Sequence, residues 1–237
     1  MNLTDCQSMA LLPFFVNTVF FFMVAKIVMS TMKEVKTSLR KKTRMKLMTL
    51  GAEAITEASE AITDRLINLP AWKKATAISC YISMPNSEVQ TSGVLENALQ
   101  KQLFVPKVLG MNSPDMVMLK VKNLEEIDTF PKSKWGIPES PEDGPDKTYD
   151  GIIDLVVVPG VVFDTSCHRV GHGKGYYDCF LSRINEEHAK RNLPRPVTVG
   201  LCFDEQVVDE PVPTEGHDVP LDLIVTPSRV LSAQSDE

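Results

Sequence analysis

The sequence predicts an α/β protein: a mostly parallel central sheet flanked by helices. Three observations predict it. Ile152 to Pro159 (IIDLVVVP) is a nearly unbroken β-branched run, the pattern of a parallel strand covered on both faces. From Lys33 onward, amphipathic helical stretches alternate with short apolar runs, which implies helices packed on the faces of a parallel sheet. A length of 237 residues, with 43% apolar and 24% charged residues, suits one sizeable core and excludes a disordered or fibrous chain.

The elements follow in chain order. The stretch between Met9 and Met29 is apolar, with Lys26 its only charge, and is about long enough to span a bilayer. Before it stand Asp5 and no Lys or Arg, so the basic start of a signal peptide is missing. Residues 1–31 are therefore read as an extension of one of three kinds: an anchor, a targeting segment, or residues upstream of the true start. One domain is expected over 32–237.

Lys33 to Met48 is a basic helix, interrupted at Gly51. Ile55, Ala58, Ile62, Leu66 and Leu69 recur at helical spacing until Pro70 stops them. Ala75 to Ser83 is a strand with Ile78, Cys80 and Ile82 on one face. A helix over Glu88 to Gln102 and strands over Leu103 to Pro106 and Met116 to Val121 follow. Phe130 to Asp150 is a long loop anchored by Trp135 and Ile137. Gly160 ends the β-branched strand, and Val161 to Phe163 continues apolar. Tyr176 to Lys190 is a helix, and Val197 to Phe203 and Leu223 to Thr226 supply the last strands. No repeat or internal linker interrupts the series.

The formal charge of −6 argues against general nucleic-acid binding, which needs a basic face, but leaves room for a local cationic site for a small anion. The cysteines are Cys6, Cys80, Cys167, Cys179 and Cys202. Their odd number and the lack of a C-x-x-C pair favour reduced thiols in a cytosolic protein over a disulfide framework or zinc site.

Chemistry concentrates in Arg169-Val-Gly-His-Gly-Lys-Gly-Tyr-Tyr-Asp178. Gly171, Gly173 and Gly175 lie just after the buried strand and open a helix. In such sheets ligands sit beyond the carboxyl ends of the strands, where a helix N-terminus offers unpaired N–H groups. Alternate glycines let the backbone approach phosphate oxygens. Lys174 is a mobile point charge, Arg169 a planar fork for two oxygens, and Asp178 a first-turn carboxylate suited to a Mg²⁺ that bridges phosphates. The spacing is neither G-x-G-x-x-G nor a Walker loop, whose lysine precedes Ser or Thr. A bland turn, with Asp178 placed only for the helix dipole, is the competing interpretation.

Gly160-Val-Val-Phe-Asp164 followed by that segment resembles the signature of the 5-formyltetrahydrofolate cyclo-ligase (methenyltetrahydrofolate synthetase) family, over roughly Lys33 to Thr226. The resemblance implies a Rossmann-like, three-layer (NagB/RpiA/CoA-transferase-like) single domain. It implies that Lys36 and Arg40, in Lys36-Thr-Ser-Leu-Arg40, contact nucleotide phosphates; a spacing of four puts them on one helix face. It implies that ATP is bound by these two together with Arg169, Gly171, His172, Gly173, Lys174, Gly175, Tyr176 and Tyr177. The folate would meet Ile82, Met84, Glu88 (which takes the pterin), Trp135 and the loop from His172 to Tyr176. Asp178 and the element Gly216-His-Asp-Val-Pro-Leu-Asp222, through Asp218 and Asp222, would hold Mg²⁺. Two departures stand out. Position 172, often arginine in the family, is histidine. The turn Thr165-Ser166-Cys167 lacks a glycine common in vertebrate members.

The implied reaction closes 5-formyltetrahydrofolate, possibly polyglutamylated, to the 5,10-methenyl form with conversion of ATP to ADP and phosphate. The γ-phosphoryl group activates the formyl oxygen as an imidate, N10 attacks, and phosphate leaves; Lys174, Arg169 and Tyr176 would be the catalytic groups. The expected protein is a cytoplasmic monomer without nucleic-acid partners. A mitochondrial or membrane-anchored location is the alternative if the N-terminal stretch is real. Rival functions are a non-catalytic folate-binding protein on the same fold, a small-molecule kinase with Asp164 as base, and a membrane-tethered interaction protein.

Overall fold

A computed structural model describes residues 31–84, 88–110, 112–133, 136, 138–139 and 153–233. The apolar N-terminal stretch, Trp135 and Ile137 lie outside these. By its internal contacts the chain divides into residues 1–39 and 40–237. In the first unit residues 31–39 are helical, and Thr37 Oγ1 donates to the Lys33 carbonyl at 2.7 Å. Among the described residues this helix, α1, covers 31–47. No helix among the described residues is long and apolar enough to cross a membrane.

The second unit is built on a seven-stranded sheet. In chain order its elements are α2 (Ala52–Asn68), α3 (Pro70–Lys74), β1 (Ala77–Ser79), α4 (Ser92–Ala98), β2 (Gln102–Val108), β3 (Met116–Val121), α5 (Leu124–Asp128), β4 (Leu155–Val158), β5 (Val162–Asp164), β6 (Arg169–Val170), α6 (Tyr176–Lys190), β7 (Val197–Leu201), β8 (Val207–Val208), β9 (Leu223–Val225) and β10 (Val230–Ser232). The sheet order is β10-β9-β7-β4-β1-β2-β3. The five inner strands are parallel, and the edge strands β3 and β10 run antiparallel to their neighbours. A three-stranded sheet, β6-β5-β8, lies in the connections.

Alternation along β4 shows why the central strand is apolar throughout. Leu155 and Val157 enter one core with Ile62 and Leu66 of α2 and Val94 and Leu95 of α4. Val156 and Val158 enter the other with Phe180, Leu181 and Ile184 of α6. Both faces are covered, so the expected three-layer α/β arrangement is the one observed.

The predicted helix over Tyr176 to Lys190 and the strand over Met116 to Val121 coincide with α6 and β3. Pro70 ends α2 by holding Leu69 extended (ψ 141°) and then opens α3 at its first turn. Three predictions need correcting. β1 keeps only three of its nine predicted residues. Beyond it the Thr91 hydroxyl donates to the Tyr81 carbonyl (2.9 Å) and accepts from the Ser83 amide (3.1 Å), which takes the chain off the ladder. The same contacts hold back the helix predicted from Glu88, which begins only at Ser92. Gln102 belongs to β2, not to that helix. The unpredicted α5 starts where the Asn123 side chain accepts from the Glu126 amide at 2.8 Å.

The chain goes from β1 outward to β2, then returns to place β4 on the other side of β1. The crevice beyond the carboxyl ends of β1 and β4 is thus the topological switch point, where open α/β sheets bind ligands.

Candidate functional site

Three segments of the second unit meet at that switch point: the second half of α1, the chain leaving β1, and the glycine-rich loop. The loop is anchored beside the end of β4, because Val170 accepts from the Val161 amide at 2.8 Å. Gly173 and Gly175 adopt φ of 97° and 70°, the left-handed region that glycine enters without a Cβ penalty. Gly175 is the N-cap of α6 and carries no capping side chain, so the first amides of the helix keep their donors for a ligand.

Arg40 holds the loop. Its Nε–H donates to the Gly171 carbonyl at 2.7 Å, and a Cβ on Gly173 would lie 3.4 Å from its Nη2. Burial, with neighbouring Arg44, lowers the pKa of the Arg40 guanidinium, while Asp218 opposes that shift. One turn on, Arg44 Nη2 lies 3.3 Å from His172 Nδ1, and His172 Nε2 lies 3.2 Å from Glu88 Oε1. Glu88, 8% exposed, also accepts from the Met84 amide at 2.8 Å through Oε2. Lys174 is exposed, and its carbonyl accepts from Ser113 Oγ at 2.8 Å, so its backbone is fixed while its ammonium stays in solvent. The Tyr176 hydroxyl donates to the Gly110 carbonyl at 2.9 Å.

Arg169, expected to face a phosphate, meets a carboxylate of its own chain. It is buried, and its Nη2 donates to Asp178 Oδ1 at 2.8 Å, while its Nε–H has no acceptor among the described residues. The Tyr177 hydroxyl is likewise buried and unpartnered among them. Burial, then the nearby Cys80 and Glu88, push its pKa well above the ordinary phenol value against the pull of Arg169.

The carboxylates predicted for the metal separate. Asp178 Oδ1 takes Arg169 and the Val219 amide (3.2 Å), and Oδ2 has no hydrogen bond among the described residues. Val219 adjoins Asp218, which has a carboxylate oxygen within 4.8 Å of a Glu215 carboxylate oxygen and a His217 ring nitrogen. The two carboxylates are hard oxygen donors that suit Mg²⁺, whereas the exposed His217 imidazole is a softer donor that suits transition metals better. Asp222 is not brought to them. Its oxygens are taken by the Arg195 guanidinium and by the amide and hydroxyl of Thr198 (2.8 and 3.0 Å), at the start of β7 and the far end of the parallel strands. Closeness in sequence to Asp218 misled, because the chain crosses from one end of the sheet to the other between them.

Asp164 is also occupied. Buried to 1% exposure, it accepts from the amides of Ser166, His168 and Val212 at 2.9–3.0 Å. A carboxylate so saturated organises a turn, and a kinase reading that needs it as a base loses its candidate. Lys36 belongs to the first unit, and Ile82 is half-buried just past β1. Arg44, Ser113 and Gly110 were not anticipated. Arg44 alone had a signal, as the next member of the four-residue series from Lys36 and Arg40.

Comparisons with known proteins give a family, relatives and a related structure. The sequence model of the 5-formyltetrahydrofolate cyclo-ligase family matches residues 32–227. The chain is 32% identical over 205 residues to 5-formyltetrahydrofolate cyclo-ligase of Saccharomyces cerevisiae, covering 80% of this chain and 94% of the relative. To the enzyme of that name from Mus musculus it is 30% identical over 200 residues, covering 82% and 95%. The NMR structure of Aquifex aeolicus 5,10-methenyltetrahydrofolate synthetase superposes with a TM-score of 0.67 at 28% identity, covering 86% of this chain and 95% of that one.

Proposed function

The chain belongs to the 5-formyltetrahydrofolate cyclo-ligase family, and on that premise we propose that it converts 5-formyltetrahydrofolate and ATP to 5,10-methenyltetrahydrofolate, ADP and phosphate. One observation carries the reading. A glycine-rich helix N-terminus and a buried carboxylate, Glu88, are joined through His172 at the sheet's switch point. The first suits a nucleotide's phosphates, and the second the amino-pyrimidinone edge of a pterin.

The formyl oxygen is a poor leaving group. Moving the γ-phosphoryl group onto it gives an imidate phosphate; N10 then forms the new C–N bond as phosphate departs. No side-chain nucleophile is required, so the protein's work is positioning and charge stabilisation. We assign the exposed, mobile Lys174 to the transferring phosphoryl group. Arg40, with the amides of Gly171, His172, Gly173 and Gly175, goes to the nucleotide phosphates. Arg169 positions Asp178 and offers a phosphoryl oxygen the Nε–H that has no acceptor among the described residues. Tyr176 and Tyr177 line the folate and formyl side with Ile82, Met84 and Glu88. Asp178 and Asp218 would hold Mg²⁺, which when bound screens charge between phosphate oxygens.

The buried, unpaired thiols Cys80, Cys167 and Cys202 are consistent with a reducing compartment, and we place the enzyme in the cytoplasm. The direct test follows the methenyl chromophore after ATP, Mg²⁺ and 5-formyltetrahydrofolate are added. An ATP-dependent rise is expected; a folded protein giving none overturns the reading.

A further inference from the structure

We propose that Arg44 is a positioning residue for the folate side of the site, acting through the ring of His172 to hold Glu88. The inference rests on the reading above that Glu88 meets the pterin. The chemistry of three groups defines the relay. A guanidinium only donates, so Arg44 Nη2, 3.3 Å from His172 Nδ1, makes a hydrogen bond only if that nitrogen is unprotonated. A carboxylate only accepts, so His172 Nε2, 3.2 Å from Glu88 Oε1, must carry the proton. Both contacts select one species, the neutral ring with its hydrogen on Nε2. A doubly protonated ring would set an N–H against the arginine.

Glu88 then has one donor on each oxygen, the imidazole on Oε1 and the Met84 amide on Oε2. The carboxylate plane is fixed, and one lone pair per oxygen is left for two parallel N–H donors. Arg40 secures the arrangement by holding the carbonyl of Gly171, the residue before His172, at 2.7 Å. Two arginines one helical turn apart thus grip successive loop residues, one by the backbone and one by the side chain.

Arg44→Met keeps the length of the side chain and removes the donor. It is expected to raise the KM for 5-formyltetrahydrofolate roughly fivefold to tenfold, the size of one hydrogen bond in a charged chain, with the KM for ATP changed by less than about twofold. His172→Gln offers an amide donor near the Nε2 position that has no tautomer to lock. In that background Arg44→Met should have no further effect, because the arginine acts only through the ring. Equal effects of Arg44→Met in both backgrounds, or none in either, overturn the proposal, as does a rise confined to the KM for ATP. Long-range ¹H–¹⁵N spectra of the imidazoles, with His172 identified by its loss in His172→Gln, give a readout independent of turnover. The wild type should show the Nε2–H ring, and Arg44→Met a mixture of tautomers; identical ring signals in the two proteins also overturn it. If the folded wild type proved inactive as a cyclo-ligase, the functional reading would fall, and these spectra would still decide the relay.

Discussion

Gly173 and Gly175 take φ values of 97° and 70°, and Cys167 takes 65° with a side chain attached. The contrast explains the turn that departs from the family pattern. Cys167 completes a turn in which the Asp164 carboxylate accepts the Ser166 and His168 amides, and its thiol is buried in the core under α6. A left-handed L-residue costs roughly 1–2 kcal/mol, and burial of a small apolar group returns a similar amount. Cys167→Gly should therefore stay within about 1 kcal/mol of wild type, while the β-branched Cys167→Val should lose about 2 kcal/mol or more; urea denaturation measures both. Lys174 has no such structural duty, since its backbone, not its ammonium, is what Ser113 holds. Lys174→Ala should leave stability unchanged and lower kcat about 10²-fold, the scale for one preorganised electrostatic group. Near-normal turnover in that variant would move the phosphoryl contact elsewhere. The loop's importance was legible because left-handed backbone selects glycine and so writes itself into composition. Arg44 was not singled out: an arginine on an exposed helix face looks the same whether it meets solvent or a histidine 128 residues later in the chain.

Elements whose pattern arises within their own length were the ones predicted correctly. The helix α6 is read from the spacing of Phe180, Leu181 and Ile184 alone, and β3 from its apolar run. The ends of β1 and α4 were misplaced because hydroxyls on Ser83 and Thr91, eight residues apart, replace ladder bonds there. β6 and β8 have two residues each, too few to show a period. Asp222 belongs to this scale, since it ties the start of β9 to the start of β7. Burial alone would raise its pKa, but hydrogen bonds from Arg195 and Thr198 outweigh that and lower it below the ordinary 3.8. A carboxylate with a depressed folded pKa adds stability above its unfolded value and loses it as pH falls through the folded one. Asp222→Asn should thus be less stable than wild type at neutral pH, and the difference in melting temperature should shrink as pH is lowered below about 3.8. A gap that stays constant with pH would mean the tie is not ionic.

At the scale of the whole molecule, the sheet separates the holding contacts from the proposed binding site. Where the parallel strands begin, Asp154 accepts from the Thr76 amide and hydroxyl (2.9 and 2.8 Å), and Asp222 closes the corresponding junction at β7. Where the strands end, the second half of α1, the tail of β1 and the glycine-rich loop converge, with Arg40 on the Gly171 carbonyl and the Arg169 Nε–H without an acceptor among the described residues. The strand order that creates the switch point was not readable from the sequence, because order depends on which strands pair across the chain rather than on any local period. The motif's position after a buried strand nevertheless placed it at the correct end. This separation predicts a double dissociation. A ligand that binds only the folded state stabilises it by about 2.7 kcal/mol at a hundredfold excess over Kd, and so raises the melting temperature. ATP with Mg²⁺ should raise the Tm of wild type and, by the same increment, that of the less stable Asp222→Asn. Lys174→Ala should start from the wild-type Tm and gain less, because it would lose the proposed phosphate contact without losing a structural one. Thermal melts of the three proteins at matched nucleotide excess decide it. An increment reduced as much in Asp222→Asn as in Lys174→Ala would show that the two ends of the sheet are coupled, and that Asp222 serves the nucleotide as well as the fold.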